Sequence, residues 1–316
     1  MESTLNELAV ARAAQALIAG HLVAFPTETV YGLGANAEDS SAVEKIYRAK
    51  NRPANHPLIV HASSLDTARH WVRELPAFAE ALGAELWPGP MTLVLRRSRL
   101  AGDFLTGGQD TVAVRVPAHP VALALLAEFE QLGGRGVAAP SANRFGKVSP
   151  TNAAAVHQEL DQFLSDRDLI LDGGSSMVGI ESTIIDCTSE LPRVLRLGAV
   201  TASMVAKVTG LSLATEGDAI RVSGSHSSHY APIAKVLLDV QAQPGDGFIA
   251  LANHPTPEGA VRLAEPKDSA EYARDLYVAL RTADSLGLER VVAIEPKGDE
   301  LSDAIFDRLK RASSNL

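Results

Sequence analysis

From His21 to Gly198, apolar runs of strand length alternate with segments of helical period. HLVAF, PLIVH, MTLVLRR, TVAVRVP, GVAAPSAN, LILDGG, STIIDC and RVLRLG are each too short for a core helix. Most are bounded by Gly, Pro, Asn or Ser, which marks them as strands. Thr4 and Glu7 have capping-box spacing and open a helix that Gly20 ends. Ser41 and Glu44 repeat that spacing before VEKIYRAK, which Pro53 stops. Helices are also expected over 64–75, over 76–86, in VALALLAEF, and in NAAAVHQEL with Thr151 as its cap. This alternation predicts an α/β fold: a twisted, open, mixed sheet with flanking helices. Aromatics make up only 5% of the chain, so the packing is aliphatic.

The pattern changes after ASMVAKVTG. Residues 212–230 are polar, Gly/Ser-rich and without periodicity, as a linker would be. A smaller α/β pattern follows, with strands AKVLLDV, GFIALA and RVVAIEP and helices over 269–286 and 301–312. Its order is Rossmann-like, but no GxGxxG follows its first strand, which argues against a dinucleotide site there. The expected division is therefore 1–211, a linker at 212–232, and a C-terminal domain at 233–316.

The net charge of −9 argues against a protein that coats nucleic acid, because phosphate neutralisation supplies most of that affinity. The single cysteine, Cys187, excludes an internal disulfide and a multi-cysteine zinc site; it reads as a small buried residue of STIIDC. No stretch has the roughly 20 apolar residues of a membrane helix. MESTLNELAV lacks the basic-then-apolar order of a signal peptide, so the cytoplasm is the expected compartment.

Four polar clusters stand at strand ends, where open α/β sheets tend to bind ligands. FPTETVYGLG carries Thr27, Glu28, Thr29 and Tyr31. KNRPANHPLIVH carries Lys50, Arg52, His56 and His61. Its two cations either meet the negative end of a helix dipole or clamp a phosphate. APSANRFGKVSP places Ser141, Asn143 and Ser149 on one loop. SMVGIESTIIDC brings Glu181, Ser182 and Thr183 into an apolar strand, and Arg196 sits between two leucines, where a cation needs a partner. Walker A, HExxH, GxSxG and CxxC patterns are all absent. The residues alone describe a cleft of hydroxyls and cations suited to an anionic, nucleotide-like ligand.

FPTETVYGLG, KIYRAKNRPANHPLIVH, WPGPMTLVL, TVAVRVP, APSAN and GIESTIID, in this order, closely resemble the blocks of the YrdC-like threonylcarbamoyl-AMP synthases over about residues 8–200. HYAP and the extra C-terminal domain resemble the longer, two-domain form of that family. The resemblance implies that 1–211 is the catalytic domain and that 212–232 folds over its cleft. It implies an L-threonylcarbamoyladenylate synthase, a nucleotidyltransferase that joins L-threonine, bicarbonate or CO2, and ATP. The product would serve a complex that modifies adenosine beside a tRNA anticodon. Magnesium would come bound to ATP, with no tightly held protein metal. Thr29, His61, Arg115, Ala139 and Ser182 would contact threonine. Arg52, His56, Thr111, Ser141, Asn143, Ser149, Arg196 and Tyr230 would face the nucleotide, with His229 beside Tyr230. Lys50 and Arg52 would stabilise phosphate charge. His56 stands where the family often has Asn, and VSGSHSSHYAP lacks the family's frequent PGM or PGT. An RNA-binding module of the same fold is the alternative. A carbamoyl-phosphate-handling domain is disfavoured, since the acylphosphatase and zinc-finger modules that accompany it elsewhere are missing.

Overall fold

The computed structural model describes residues 2–224 and 230–314. The N-terminal part runs α1 (Glu2–Ile18), β1 (Val23–Phe25), β2 (Gly32–Asn36), α2 (Ser40–Lys50), β3 (Ile59–His61), α3 (Leu65–Arg69), α4 (Ala77–Leu86), β4 (Met91–Arg96) and α5 (Asp103–Thr106). It continues with β5 (Thr111–Arg115), α6 (Pro120–Gln131), β6 (Val137–Ala138), α7 (Ala153–Leu160), β7 (Leu169–Ile170), β8 (Thr183–Asp186), β9 (Arg193–Arg196) and α8 (Ala202–Thr209). The strands form one mixed sheet in the order β7-β1-β2-β6-β3-β5-β4-β8-β9. The β1–β7, β3–β5 and β4–β8 pairs are parallel and the rest antiparallel.

Alternation along each strand sends successive side chains to opposite faces. Val60, Val114, Leu93, Ala138 and Ile185 enter one core with Val43 and Ile46 of α2 and Leu82 of α4. The opposite face is covered in two places. Over β1 and β6, Leu17 of α1 and Leu125 and Phe129 of α6 pack on Val23, Phe25, Val137 and Ala139. Over β4 and β8, Val94 and Ile184 receive Val222 of the connecting segment. Ile59, His61 and Arg115 lie between these covers, with Arg115 in register with His61 across the β3–β5 pair. The cleft is this gap.

The C-terminal part runs β10 (Lys235–Leu238), β11 (Gly247–Ile249), β12 (Val261–Ala264), α9 (Ser269–Ser285), β13 (Arg290–Ala293) and α10 (Glu300–Ser313). Its sheet is parallel, in the order β10-β13-β11-β12. Tyr272, Leu276, Leu280, Ile305 and Leu309 form its core. No helix among the described residues is long and apolar enough to cross a membrane.

Several local expectations need correction. The carboxylate of Asp39, not Ser41, caps α2 by accepting from Ser41 and Ala42 N–H. Asn152, not Thr151, caps α7. α1 begins before Thr4, so Thr4 is not its cap. α2 ends at Asn51 in the left-handed conformation (φ 51°), ahead of Pro53. The helix expected over 64–75 shrinks to the short α3, beyond which Val72 bridges to Arg97.

Candidate active site

Thr27, Thr29, Gly32, Arg52, Ile59, His61, Arg115, Ala139, Pro140, Ser141, Glu181, Ser182, Arg196, Ser223, Gly224 and Tyr230 all border the cleft. Its floor must stay thin. A methyl built on Gly32 would come within 3.3 Å of the Ala139 Cβ, and β2 could not lie so close to β6 with larger residues.

One end is built around Arg115. Its guanidinium donates to Thr29 Oγ1 at 3.0 Å and pairs with the buried Glu28 at 2.7 Å. The Thr29 hydroxyl also meets that of Thr27 at 2.8 Å, and Thr27 donates to Val30 O. The FPTET turn therefore caps itself and at the same time holds an arginine. Burial and then the neighbouring Arg115 push the His61 imidazole down to about 3, so His61 is neutral through the physiological range. Its ring meets Phe25 edge-on at 6.0 Å. Ser182 Oγ lies 2.8 Å from Thr92 Oγ1. All the residues assigned to threonine by resemblance (Thr29, His61, Arg115, Ala139 and Ser182) border the cleft.

Arg52 and Arg196 dominate the other end. Arg196 donates Nε to Ser182 O at 3.0 Å, Nη2 to Ser182 Oγ at 3.0 Å and Nη1 to Ser223 O at 2.9 Å. Arg52 donates Nη2 to Pro57 O at 3.0 Å and to Ser223 Oγ at 3.2 Å. Both are almost wholly buried, and burial lowers both pKa values, that of Arg52 to about 10. They remain cations at neutral pH. Neither has a carboxylate within salt-bridge distance among the described residues; carbonyls and hydroxyls accept from them instead, and Arg52 Nε is buried without an acceptor. Two buried guanidinium groups, neither in a salt bridge although Glu181 lies close enough to Arg196 to feel its charge, make an anion-seeking site.

The remaining residues assigned to the nucleotide divide. Ser141 and Tyr230 border the cleft. Thr111 lines a small adjoining cavity under residues 221–223. His56 does not line the cleft; it packs edge-on against Phe145, whose ring lies 5.8 Å from the Arg52 guanidinium. Asn143 donates to Arg144 O and Lys147 O, closing its own loop. Ser149 donates to Glu181 Oε1 at 2.6 Å. His229 lies outside the described residues.

Lys50 does not point into the cleft. Its ammonium donates to Ser141 O at 2.6 Å and to Asn143 O, and burial followed by Arg52 holds its pKa well below the usual value. Phe145 N–H returns a bond to Lys50 O, and Arg144 donates to Ala49 O. The helix end and the S-x-N loop are thus stapled together, and of the K-x-R pair only the arginine faces the ligand space. Glu28 stood in a polar cluster of the sequence without a ligand role, and Ser223 and Gly224 were not singled out. The polar Ser223–Gly224 stretch carried no signal beyond its place in a linker.

Residues 15–198 match the family model that groups Sua5, YciO and YrdC proteins and is described as telomere recombination. Residues 200–314 match the model for the threonylcarbamoyl-AMP synthase C-terminal domain. A threonylcarbamoyl-AMP synthase of Pyrococcus abyssi is 40% identical, covering 93% of this chain and 91% of its own length. One from Bacillus subtilis is 34% identical over 99% of this chain and 95% of its own. The crystal structure of P. abyssi Sua5 complexed with L-threonine has a TM-score of 0.86 and 37% identity, covering 97% of this chain and 94% of that one.

Proposed function

The chain belongs to the threonylcarbamoyl-AMP synthase family, and we propose from that premise that its cleft joins L-threonine, bicarbonate and ATP into threonylcarbamoyl-AMP, releasing pyrophosphate. The observation that carries this reading is the joining of two unlike ends in one cleft. A hydroxyl-lined pocket around Arg115 adjoins two buried arginines that form no salt bridge among the described residues. In class the reaction is nucleotidyl transfer.

Arg115, Thr29 and Ser182 hold threonine and leave its amine directed at the carbon source. The amine nitrogen bonds to the carbon of bicarbonate, whose hydroxyl leaves as water with the proton the nitrogen loses, to give a carbamate. Neutral His61 keeps a second cation away from that amine. A carbamate oxygen then attacks the α-phosphorus, and the bond to the bridging oxygen breaks as pyrophosphate leaves. Charge builds on the phosphate oxygens in this step, and Arg52 and Arg196 are placed to stabilise it without reorganising. Magnesium bound to the nucleotide supplies further neutralisation.

Lys50 acts by holding Ser141 against the ligand, and Asn143, His56 and Ser149 support the same wall. Displacing residues 221–223 opens the adjoining cavity and brings Thr111 to the nucleotide. The segment 212–232, with Ser223, Gly224 and Tyr230 on the cleft, excludes water from a carbamate and a mixed anhydride that both decompose in it. In the cytoplasm the product passes to a transferase complex that modifies adenosine beside a tRNA anticodon.

Incubation with ATP, L-threonine and bicarbonate should yield the adenylate by mass detection, with pyrophosphate release needing both threonine and bicarbonate. Equal ATP turnover without threonine would reject the assignment. The RNA-binding alternative predicts instead an RNA affinity that falls steeply with salt.

A further inference from the structure

We infer that the C-terminal domain is part of the synthase site: Tyr277, Arg281 and Arg308 are positioning residues for the nucleotide end of the cleft. The inference rests on the synthase reading only for the identity of the nucleotide.

Glu181 carries a buried carboxylate immediately before Ser182. Its Oε2 accepts from Tyr277 OH at 2.9 Å and from Arg308 Nε at 2.9 Å, while its Oε1 takes the Ser149 hydroxyl. Tyr277 lies on α9 and Arg308 on α10. Arg308 also donates Nη2 to Leu197 O at 2.8 Å, the residue after Arg196. One helical turn beyond Tyr277, Arg281 donates to Val148 O and pairs with Glu159 at 3.1 Å. The i, i+4 spacing puts Tyr277 and Arg281 on one face of α9. Three side chains therefore grip the three stretches that carry Ser149, Ser182 and Arg196.

The apolar packing follows the same route. Val30, Val148, Ile180 and Tyr230 belong to the core of the C-terminal domain and not to that of the large sheet. Tyr230 stacks on Tyr277 at 5.6 Å between ring centroids, and Arg308 lies over the Tyr230 ring at 5.3 Å. A docking face with no role in the site would place its polar contacts anywhere on the shared surface. Here, apart from Glu300, which accepts from Ser203 N–H at the start of α8, they fall on the stretches that carry Ser149, Ser182 and Arg196. Val30 packs on that core, but among the described residues Arg115 itself receives no polar contact from it: Thr29, Glu28 and Gly89 hold Arg115 from within the large domain.

This asymmetry gives the test. In the full-length chain, Tyr277→Phe keeps the ring stack and removes one bond to Glu181. Arg308→Lys keeps the charge and loses the fork that spans Glu181 and Leu197. ATP and L-threonine are titrated separately by calorimetry, well below the unfolding temperature. ATP affinity should fall roughly tenfold in each variant, the scale of one lost hydrogen bond to a charged group. Threonine affinity should fall severalfold less than ATP affinity, because Ser182 adjoins the disturbed carboxylate while Arg115 and Thr29 keep contacts of their own. Equal weakening of both ligands, or no change in ATP affinity, would overturn the inference. Should Arg308→Lys fail to fold, Tyr277→Phe decides alone. Binding needs no turnover. A chain that shows this split yet makes no adenylate would uphold the inference and reject the synthase reading.

Discussion

At the scale of single residues, two cations read together in the sequence end in different surroundings. Arg52 faces ligand space and Lys50 holds a loop. Arg52→Ala should lower the rate of adenylate formation by roughly 10²–10³ if it stabilises charge built in the transition state. Steady-state kinetics with ATP and threonine both varied would check this. Lys50→Ala should also cost stability, about 1–3 kcal/mol, because buried carbonyls of Ser141 and Asn143 lose their donor. Urea unfolding of the two variants would separate these effects. His61 adds a pH dependence. Its folded pKa, about 3, lies below the ordinary 6.5, so below that ordinary value the unfolded chain takes up a proton that the folded chain refuses. Stability should therefore fall as pH drops from about 6.5 towards 3, by at most ~1.4 kcal/mol per pH unit from this group. His61→Gln should remove that part of the acid limb in denaturant titrations at a series of pH values. Glu181 acts lower in the scale. Burial alone would raise its carboxyl, but Arg308 and Arg196 outweigh burial and hold it at about 2, so its contribution is lost only as pH falls from about 4.5 towards 2. The polar clusters themselves were legible from residue type and spacing, but the direction of Lys50 was not. That direction depends on a loop some ninety residues away reaching the same helix end.

At the scale of elements, the aliphatic strands were readable because each carries a continuous or alternating apolar run. β2 was not. GLGAN has no β-branched residue, and it is a strand because its glycines let neighbours close in. A methyl on Gly34 would stand 2.7 Å from Val137 Cγ1 and 2.9 Å from Phe25 Cε1. β12 was missed because VRLA lies at the sheet edge and is only partly buried. Helix caps were displaced by a residue or two because Asp39 and Asn152 compete with nearby hydroxyls as acceptors. The loop before β8 shows a comparable close approach. Gly179 has φ 82°, and a methyl there would come within 2.3 Å of the Arg274 Cα on α9. Gly179→Ala should therefore destabilise the chain by about 1–3 kcal/mol through strain and enforced backbone movement. Thermal unfolding of the two proteins would measure it. A variant as stable as the parent would mean that α9 can yield, and with it the grip on Glu181.

At the scale of the whole molecule, the presence of a second, smaller sheet was legible from the change in pattern near Gly210. What the domains do for each other was not, because Glu181 and Arg308 are 127 positions apart and nothing local pairs them. Between the domains, Val222 is buried against Val94 and Ile184 while residues 215–219 are exposed. Arg221 is exposed as well, next to that buried valine, and offers a trypsin site at the rim of the cleft. ATP and threonine together should slow cleavage after Arg221, read as the half-life of the intact chain on gels, while threonine alone should do so less. Equal half-lives with and without ligands would make residues 212–232 a passive connector.

Ser223 occupies both arginines at once, giving its hydroxyl to Arg52 and its carbonyl to Arg196. On the function proposed above, Ser223 would be an intramolecular competitor, tethered at high local concentration to the groups that an incoming phosphate needs. The apparent dissociation constant for that phosphate is the intrinsic one divided by the fraction of molecules in which Ser223 has let go. The same contact keeps two buried cations solvated by protein when no nucleotide is present. Selectivity follows as well: only an anion able to satisfy both guanidinium groups together recovers what the serine gives up, so a ligand with a single isolated charge gains little by displacing it.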